Sequence, residues 1–325
     1  MNPVVPLIMA VALFMENMDS TVISTALPAI AADLNVGPIT LKLALTTYMV
    51  ALAIFIPVSG WMADRFGAAR VFRSAILVFL LGSVACAVSG NLLEFVGARF
   101  LQGMGGAMMT PVGRLVILRT TDRSELVRAM ALLTIPALVG PMAGPPVGGF
   151  ITTYFTWHWI FLINVPIGIV GLIMSAIFLP AIKDEPTSNL DWMGFFLVAT
   201  AASGIVFGMS VISLPALPPA TGIITTLIGI AAALAYLWHA RRRANPLLNL
   251  KLFQTPTYRA AVGASAFFRM ATGAFPFLMP LMLQLGFGLN PFQSGMITFV
   301  GAVGALVMKF IAPRVFAAYG FRTVL

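Results

Sequence analysis

Ten long apolar runs follow one another along this chain of 325 residues, with short polar stretches between them. A helix that crosses a bilayer needs about 20 mostly apolar residues, which is roughly the length of each run. Because the bilayer core offers the backbone no water, such runs must be helices that satisfy their own hydrogen bonds. The sequence lacks the segments of about ten residues with alternating polarity that are typical of a membrane β-barrel. It therefore predicts an all-α membrane protein.

We predict ten membrane-spanning helices. Their approximate positions are 5–31, 41–62, 73–90, 93–117, 127–153, 158–180, 192–213, 220–238, 259–285 and 292–313. The loops between them are short, as expected for a compact bundle of helices. The first run lacks a basic leader and a small-residue cleavage site, so we expect a retained helix and not a signal peptide.

Charged residues are scarce, and most of them lie between the apolar runs. They make up 9% of the chain, against about 25% in soluble domains. The net charge of +9 comes largely from arginines and lysines in the loops after even-numbered spans. Short cytoplasmic loops collect such residues, so we expect a multi-pass inner-membrane protein with a cytoplasmic N-terminus. Basic residues scattered in this way do not indicate a nucleic-acid partner.

Two polar stretches suggest boundaries between domains. They are 181–190 (AIKDEPTSNL), after the sixth span, and 241–257 (RRRANPLLNLKLFQTPT), after the eighth. We therefore predict an N-terminal six-helix bundle over 1–180 and an inserted pair of linker helices over 181–257. Residues 258–325 are then the first part of a C-terminal six-helix bundle.

The sequence carries no signature of cofactor or metal chemistry. The single cysteine, Cys86, lies within an apolar run, so we predict neither a disulfide framework nor a metal cluster. The only histidines, His158 and His239, are far apart, and no nucleotide-binding Gly-rich loop is present. We expect no cofactor, no metal site and no enzymatic activity.

Two carboxylates lie in the first apolar run. Glu16 and Asp19 are three residues apart, so they share one face of a helix. A carboxylate inside a bundle suits reversible protonation, because burial disfavours its charged form. The alternative is that both side chains are merely solvated near a helix end.

Three arginines lie more than two residues inside the ends of predicted spans, and a charge within a span costs about 2.5–3.5 kcal/mol on insertion scales. Arg99 either reaches the outer interface or pairs with a carboxylate of the first span, and Arg114 could form a similar pair near the inner end. Arg269 lies deep in the ninth span. It could bind anions in a cavity or pair with a backbone carbonyl.

The fifth span contains the glycine- and proline-rich segment GPMAGPPVGG over 140–149. Glycines spaced at i and i+4 allow two helices to approach closely. Pro141, Pro145 and Pro146 are expected to kink or locally break the helix.

Several segments resemble signatures of the major facilitator superfamily. They are GWMADRFGAARVF (60–72), between helices two and three; RFLQGMGGA (99–107), in helix four; GPMAGPPVGG (140–149), the antiporter signature of helix five; and MDSTVISTALPAI (18–30), WHWIFLINVPIG (157–168) and LDWMGF (190–195). The last three are typical of the fourteen-helix drug:proton antiporters (EmrB/QacA-like), the branch with two extra central helices. The resemblance covers essentially the whole chain.

The resemblance implies roles for particular residues. Asp19, with Glu16, and Arg99 would take part in proton coupling, and Arg114 and Arg269 would be charges of the cavity or substrate site. A conformational latch on the cytoplasmic side would consist of Gly60, Asp64, Arg65, Gly67 and Arg70. The antiporter motif would consist of Gly140, Gly144, Pro145, Gly148 and Gly149.

The sequence departs from the family pattern in three places. Ala68 and Ala69 replace basic residues of the latch, which should weaken its electrostatics. The second-half counterpart, PRVFAAYGFRTVL, has no acidic residue. Only ten of fourteen expected spans are found, so we expect a C-terminally truncated chain.

By resemblance, the expected function is proton-coupled export of small amphipathic or cationic organic compounds by alternating access. The expected partners are that substrate, protons and the lipid bilayer; a periplasmic adaptor is left open. One alternative is a transporter of the same fold with a narrow substrate, such as a sugar, an amino acid or a siderophore. The other is a membrane sensor that transports nothing.

Overall fold

The computed structural model describes residues 4–179, 189–212, 214 and 218–320. Twelve α-helices occupy these ranges: α1 (Val4–Asp33), α2 (Lys42–Phe66), α3 (Ala68–Val88), α4 (Leu92–Thr120), α5 (Leu126–Tyr154), α6 (Trp159–Leu162), α7 (Asn164–Phe178), α8 (Trp192–Ile212), α9 (Pro219–Arg242), α10 (Pro256–Thr272), α11 (Phe275–Leu281) and α12 (Pro291–Tyr319). A 3₁₀ helix, Leu250–Gln254, precedes α10, and a π-helical turn, Met282–Gly286, follows α11. Most of the polar stretch 181–190 and the predicted Arg322 lie outside the described residues.

The predicted spans correspond to these helices. In the described part of the chain, nine helical segments are long and apolar enough to cross a membrane, and they match every predicted span except the fourth. The fourth corresponds to α4, which has 29 residues. It is long enough to cross a bilayer, but Arg99, Gln102 and Arg114 make it less apolar than the others. The prediction of an all-α membrane protein is confirmed.

Two spans are less regular than predicted. The sixth consists of α6 and α7, which meet at Ile163, and the ninth consists of α10, α11 and the π-helical turn. The proline-rich fifth span behaves in the opposite way, because α5 continues through four prolines as one helix. Of the two outcomes expected at Pro141, Pro145 and Pro146, a local break is therefore absent, and a kink stays a prediction.

Glycines allow α1 and α5 to pack closely. A Cβ added at Gly144 or Gly148 would lie within 3 Å of Thr21 or Val22 atoms of α1. Gly140 faces the carbonyl oxygen of Phe14, to which a Cβ would come within 2.8 Å. The predicted close approach at these glycines is therefore present, and it fixes the position of α1 in the bundle.

A neighbouring face of α5 contacts α12, near the first turns of α12. A Cβ at Gly149 would lie 2.3 Å from the carbonyl oxygen of Pro291, and one at Gly295 would lie 2.2 Å from that of Pro145. The Phe292 amide donates to the Thr153 hydroxyl at 3.0 Å. Among the described residues of α12, only Ser294 and Gly295 are buried. Close packing between these helices is therefore confined to one end of α12.

The helices α8 and α9 form a hairpin that contacts α2. Gly204 packs against Gly229, and Gly208 packs against Thr226, so the two backbones lie close together. A hydrogen bond of 2.9 Å joins the hydroxyls of Thr46 on α2 and Ser210 on α8. The division into two bundles and an inserted pair stays a prediction, with which this hairpin is consistent.

Candidate functional site

A carboxylate is buried at the centre of the first helices. Asp19 of α1 has no exposed surface, and each of its oxygens accepts hydrogen bonds. Oδ2 accepts from Arg99 Nη1 at 2.8 Å, and Oδ1 accepts from Gln102 Nε2 at 2.8 Å and from Asn164 Nδ2 at 2.8 Å. The carboxylate is therefore held by an arginine and two amides that come from two other helices.

Further bonds join these donors to one another. Gln102 Oε1 accepts from Arg99, and Gln102 Nε2 donates to the Ser83 hydroxyl of α3 at 2.8 Å. Asn164 Nδ2 also lies 3.3 Å from that hydroxyl. We call Asp19, Ser83, Arg99, Gln102 and Asn164 the central network. The central network joins α1, α3, α4 and α7. A change in any member therefore alters hydrogen bonds that connect these four helices.

Local sequence explains the position of each member. Arg99 and Gln102 are three residues apart on α4 and so project from one face. Gly82 makes room for them, because a Cβ there would lie 2.5 Å from the Gln102 backbone. Asn164 is the first residue of α7, directly after the irregular step at Ile163.

The guanidinium of Arg99 is enclosed by aromatic rings. It lies 4.3 Å from the ring centroid of Tyr48 and 5.8 Å from that of Phe161. Arg99 itself has no exposed surface, so it does not reach a membrane interface. The structure thus shows the pairing alternative for Arg99. Its part in proton coupling stays a prediction.

Glu16 lies one turn before Asp19 on α1 but outside the central network. It is half-buried, and its Oε2 accepts a hydrogen bond from the Thr110 hydroxyl of α4 at 2.7 Å. The Tyr48 hydroxyl is buried without a hydrogen-bond partner in the described part of the chain, and lies beside Gly106 together with Glu16. The two carboxylates therefore differ: Asp19 is fully enclosed, and Glu16 is closer to the surface of the bundle.

The other predicted arginines do not join this network. Arg114 is exposed on α4, one turn beyond Thr110, and makes no ion pair with a described carboxylate. Arg269 is exposed on α10, a helix without buried residues among those described. Their roles as cavity or substrate charges stay predictions.

Of the residues predicted to form a latch, only Asp64 is in an ion pair within the ranges that the structure describes, and the role of this group as a latch stays a prediction. Asp64, near the end of α2, accepts from Arg119 near the end of α4. Gly67 adopts φ 87° between α2 and α3, a conformation that favours glycine. Arg65 and Arg70 are exposed. A side chain at Gly60 would meet open space, so packing gives no reason for a glycine there.

Sequence reasoning did not single out Gln102, Ser83 or Asn164. Gln102 and Asn164 lie within the quoted segments RFLQGMGGA and WHWIFLINVPIG, and the i, i+3 spacing of Arg99 and Gln102 was a usable signal. Ser83 carries no such signal, because a serine in an apolar helix commonly bonds to its own backbone.

Comparison with known proteins identifies the family of this chain. The sequence profile of the Major Facilitator Superfamily matches residues 9–325. The chain belongs to the major facilitator superfamily. A protein of Serratia proteamaculans that carries the name multidrug resistance protein MdtD is 40% identical over 98% of this chain. Its namesake in Escherichia coli K12 is 38% identical over 98% of this chain. The predicted resemblance is confirmed.

The chain covers 66% of the length of the Serratia relative and 67% of the Escherichia relative, so it spans about two thirds of these proteins. Solved structures support the fold alone. A peptide transporter of the POT family in complex with sulfate is 14% identical, with a TM-score of 0.70 over 98% of this chain and 69% of its own. The transporter PepTSo is 15% identical, with a TM-score of 0.63 over 99% and 70%.

The family and the relatives are transporters, which supports the prediction that the chain is not an enzyme. A search of the described residues for three or more clustered metal-binding side chains finds no group that could hold a metal ion. The chemistry available at this site is therefore that of carboxylates, an arginine and neutral hydrogen-bonding groups.

Proposed function

We propose that this chain belongs to a proton-coupled exporter of small amphipathic or cationic organic compounds in the inner membrane, with its N-terminus in the cytoplasm. The observation that carries the proposal is the enclosed Asp19 and its pairing with Arg99 across α1 and α4. The names of the MdtD relatives supply the substrate class.

The central network provides a physical route for coupling. A proton on Asp19 would neutralise the partner of Arg99 and leave a buried guanidinium without its counter-charge, which is costly. Either the four helices then rearrange, or Asp19 releases the proton. Because α1 packs against α5, and α5 packs against α12, a shift of α1 would be passed to the contact between the two proposed bundles.

The arrangement of α5 and α12 supports alternating access. These helices are tightly packed at the end near Gly149 and Gly295, while the described side chains of α12 beyond Gly295 are partly or fully exposed. Close contact at one end of a pair of helices is what alternating access requires in one of its states.

Glu16 is the proposed contact for a cationic substrate or a second proton. It lies nearer the surface than Asp19, and its hydrogen bond from Thr110 leaves one carboxylate oxygen with no described partner. Arg114, one turn further along α4, would limit the attraction of cations to the region near Glu16. The ion pair Asp64–Arg119, which joins α2 and α4 at the proposed cytoplasmic end, is proposed to act in the latch.

The test is Asp19→Asn in inverted membrane vesicles that contain the product of the complete reading frame. We expect loss of dye-induced proton release and of proton-driven accumulation of a cationic dye, each measured per amount of variant protein in the membrane because loss of the buried charge partner should also lower its abundance. Asp122→Asn is the matched control, because Asp122 is exposed in the loop before α5. Full dye accumulation by Asp19→Asn would disprove the coupling role. Accumulation of a single sugar or amino acid, and of no dye, would favour the narrow-substrate alternative.

A further inference from the structure

A basic groove lies at the end of α9, away from the central network. Its volume is about 1040 Å³, within the size of sites that hold drug-sized ligands. It is formed by the last turns of α9 and the linker that follows, and its charged lining residues are Arg241, Arg243 and Lys251. The described residues that line it include no carboxylate.

The linker is fixed in place by two side-chain clamps. The Tyr236 hydroxyl accepts from the Leu248 amide at 2.7 Å and lies 3.2 Å from the Leu248 carbonyl oxygen. Asp191 binds His239 Nε2 at 2.8 Å and also lies 3.4 Å from the Leu247 amide. The backbone of the linker beside the groove is therefore attached to α9 and to the residue that precedes α8 before any ligand binds.

The surroundings of the groove are those of a membrane interface. Leu234, Leu237 and Trp238 expose apolar surface along the last turns of α9. The Arg242 guanidinium lies 3.8 Å from the Trp238 ring centroid, and tryptophans of this kind lie at the depth of lipid headgroups. Phe253 of the 3₁₀ helix is exposed on the linker side. A ligand in the groove would thus have cations at one end and an apolar helix surface beside it.

We propose that this groove binds the headgroup of an anionic phospholipid. Its phosphate would contact Arg241, Arg243 and Lys251, and an acyl chain would lie along Leu237 and Leu234. None of the three cations pairs with a described carboxylate, so their charge is available to a ligand. The apolar surface selects a lipid over a soluble anion. The bound lipid would fasten the α8–α9 hairpin to the bilayer, which is a role beyond substrate export.

The test measures thermal unfolding of the detergent-purified chain against added lipid. The probes are palmitoyl-oleoyl phosphatidylglycerol, the zwitterionic phosphatidylcholine with the same chains, and sodium phosphate at matched ionic strength. We expect phosphatidylglycerol to raise the midpoint temperature more than the other two. In Arg241→Gln/Arg243→Gln, the half-saturating concentration of phosphatidylglycerol should rise on the order of twentyfold.

Three further variants separate the groove from net charge. Arg123→Gln/Arg128→Gln removes the same charge from exposed residues elsewhere and should leave the response unchanged. Tyr236→Phe keeps every charge but removes the clamp on Leu248, and should weaken the response. Lys251→Gln, a change of one exposed side chain, should raise the half-saturating concentration about fivefold, and it tests the groove if the double variant does not fold.

If phosphatidylglycerol raised the unfolding midpoint equally in the two double variants, the assignment of the lipid site to this groove would be wrong. If phosphate stabilised the chain as much as phosphatidylglycerol does, the ligand of the groove would be a soluble anion and not a lipid. An equal response to both lipids would overturn the selectivity for anionic headgroups. Because none of these measurements involves transport, their failure would leave the proposed export function untouched.

Discussion

Among the residues that the structure describes, α4 is joined to α1 and to α2 by one carboxylate–arginine pair each, and the two pairs differ in their surroundings. Asp19 and Arg99 join α1 and α4 with side chains 0% and 1% exposed, whereas Asp64 and Arg119 join α2 and α4 with side chains 32% and 18% exposed. Water can replace a lost partner in the second pair but not in the first. The buried Asp19–Arg99 pair is therefore fixed in place, as a coupling site would require. The partly exposed Asp64–Arg119 pair can open and close, as a latch would require.

The buried pair should give the largest loss on mutation. Arg99→Ala leaves Asp19 without its counter-charge, and removing one partner of a buried pair costs about 3–5 kcal/mol. We expect a sharply lower midpoint in thermal unfolding and reduced yield of folded protein. Arg123→Ala removes an arginine from an exposed loop and should change the midpoint little.

A second variant keeps this test informative if Arg99→Ala does not fold. Asp19→Asn/Arg99→Gln removes both charges and retains side chains that can form hydrogen bonds with Gln102 and Asn164. The double variant should be more stable than Arg99→Ala alone, since no uncompensated charge is left. Equal or lower stability of the double variant would show that the pair is not the main source of the loss.

The sequence predicted part of the central network, because only some of its members stand out in a hydropathy pattern. Hydropathy located the helices, because a bilayer requires long apolar runs. Asp19 and Arg99 were identifiable because a charge in an apolar run is costly and therefore conspicuous. Their other partners were not, because Ser83 and Asn164 are ordinary polar residues whose meeting depends on how α3 and α7 pack against α4.

The remaining differences from prediction also have local causes. The irregular step between α6 and α7 places Asn164 at a helix start, and no proline or glycine at 163 signals it. Prolines in α5 were expected to kink or break the helix, but α5 is continuous, and its glycines between 140 and 149 pack against α1 and against the first turns of α12.

A third carboxylate, Asp191, lies just before α8 and pairs with His239 in the last turn of α9, which extends the comparison to a third ion pair. Burial acts to raise the pKa of Asp191, but hydrogen bonds from His239 and from the Gly194 amide outweigh it and hold the pKa below its usual range. A carboxyl group with a lowered pKa in the folded state stabilises that state above its unfolded pKa of about 3.9. That stabilisation is lost as the pH falls through the folded-state pKa.

We therefore expect Asp191→Asn to lower the unfolding midpoint at pH 6, with a gap from the unmodified chain that narrows as the pH falls below about 4. Thermal unfolding across this range measures the gap. Asp122→Asn, at an exposed loop position, should show no such narrowing gap. A gap for Asp191→Asn that stays constant down to about pH 3 would contradict the assignment.

The exposed pair at the helix ends should give the smallest effect, and one that depends on salt. Asp64→Asn removes the charge that faces Arg119, and a partly exposed pair contributes only about 0.2–1 kcal/mol. We expect a small drop in the unfolding midpoint at low ionic strength that disappears near 1 M salt, where the screening length is about 3 Å. If the midpoint fell as far as in Arg99→Ala, or if the drop did not depend on salt, the Asp64–Arg119 pair would behave as a buried pair. The two pairs would then no longer divide into a rigid centre and an adjustable latch.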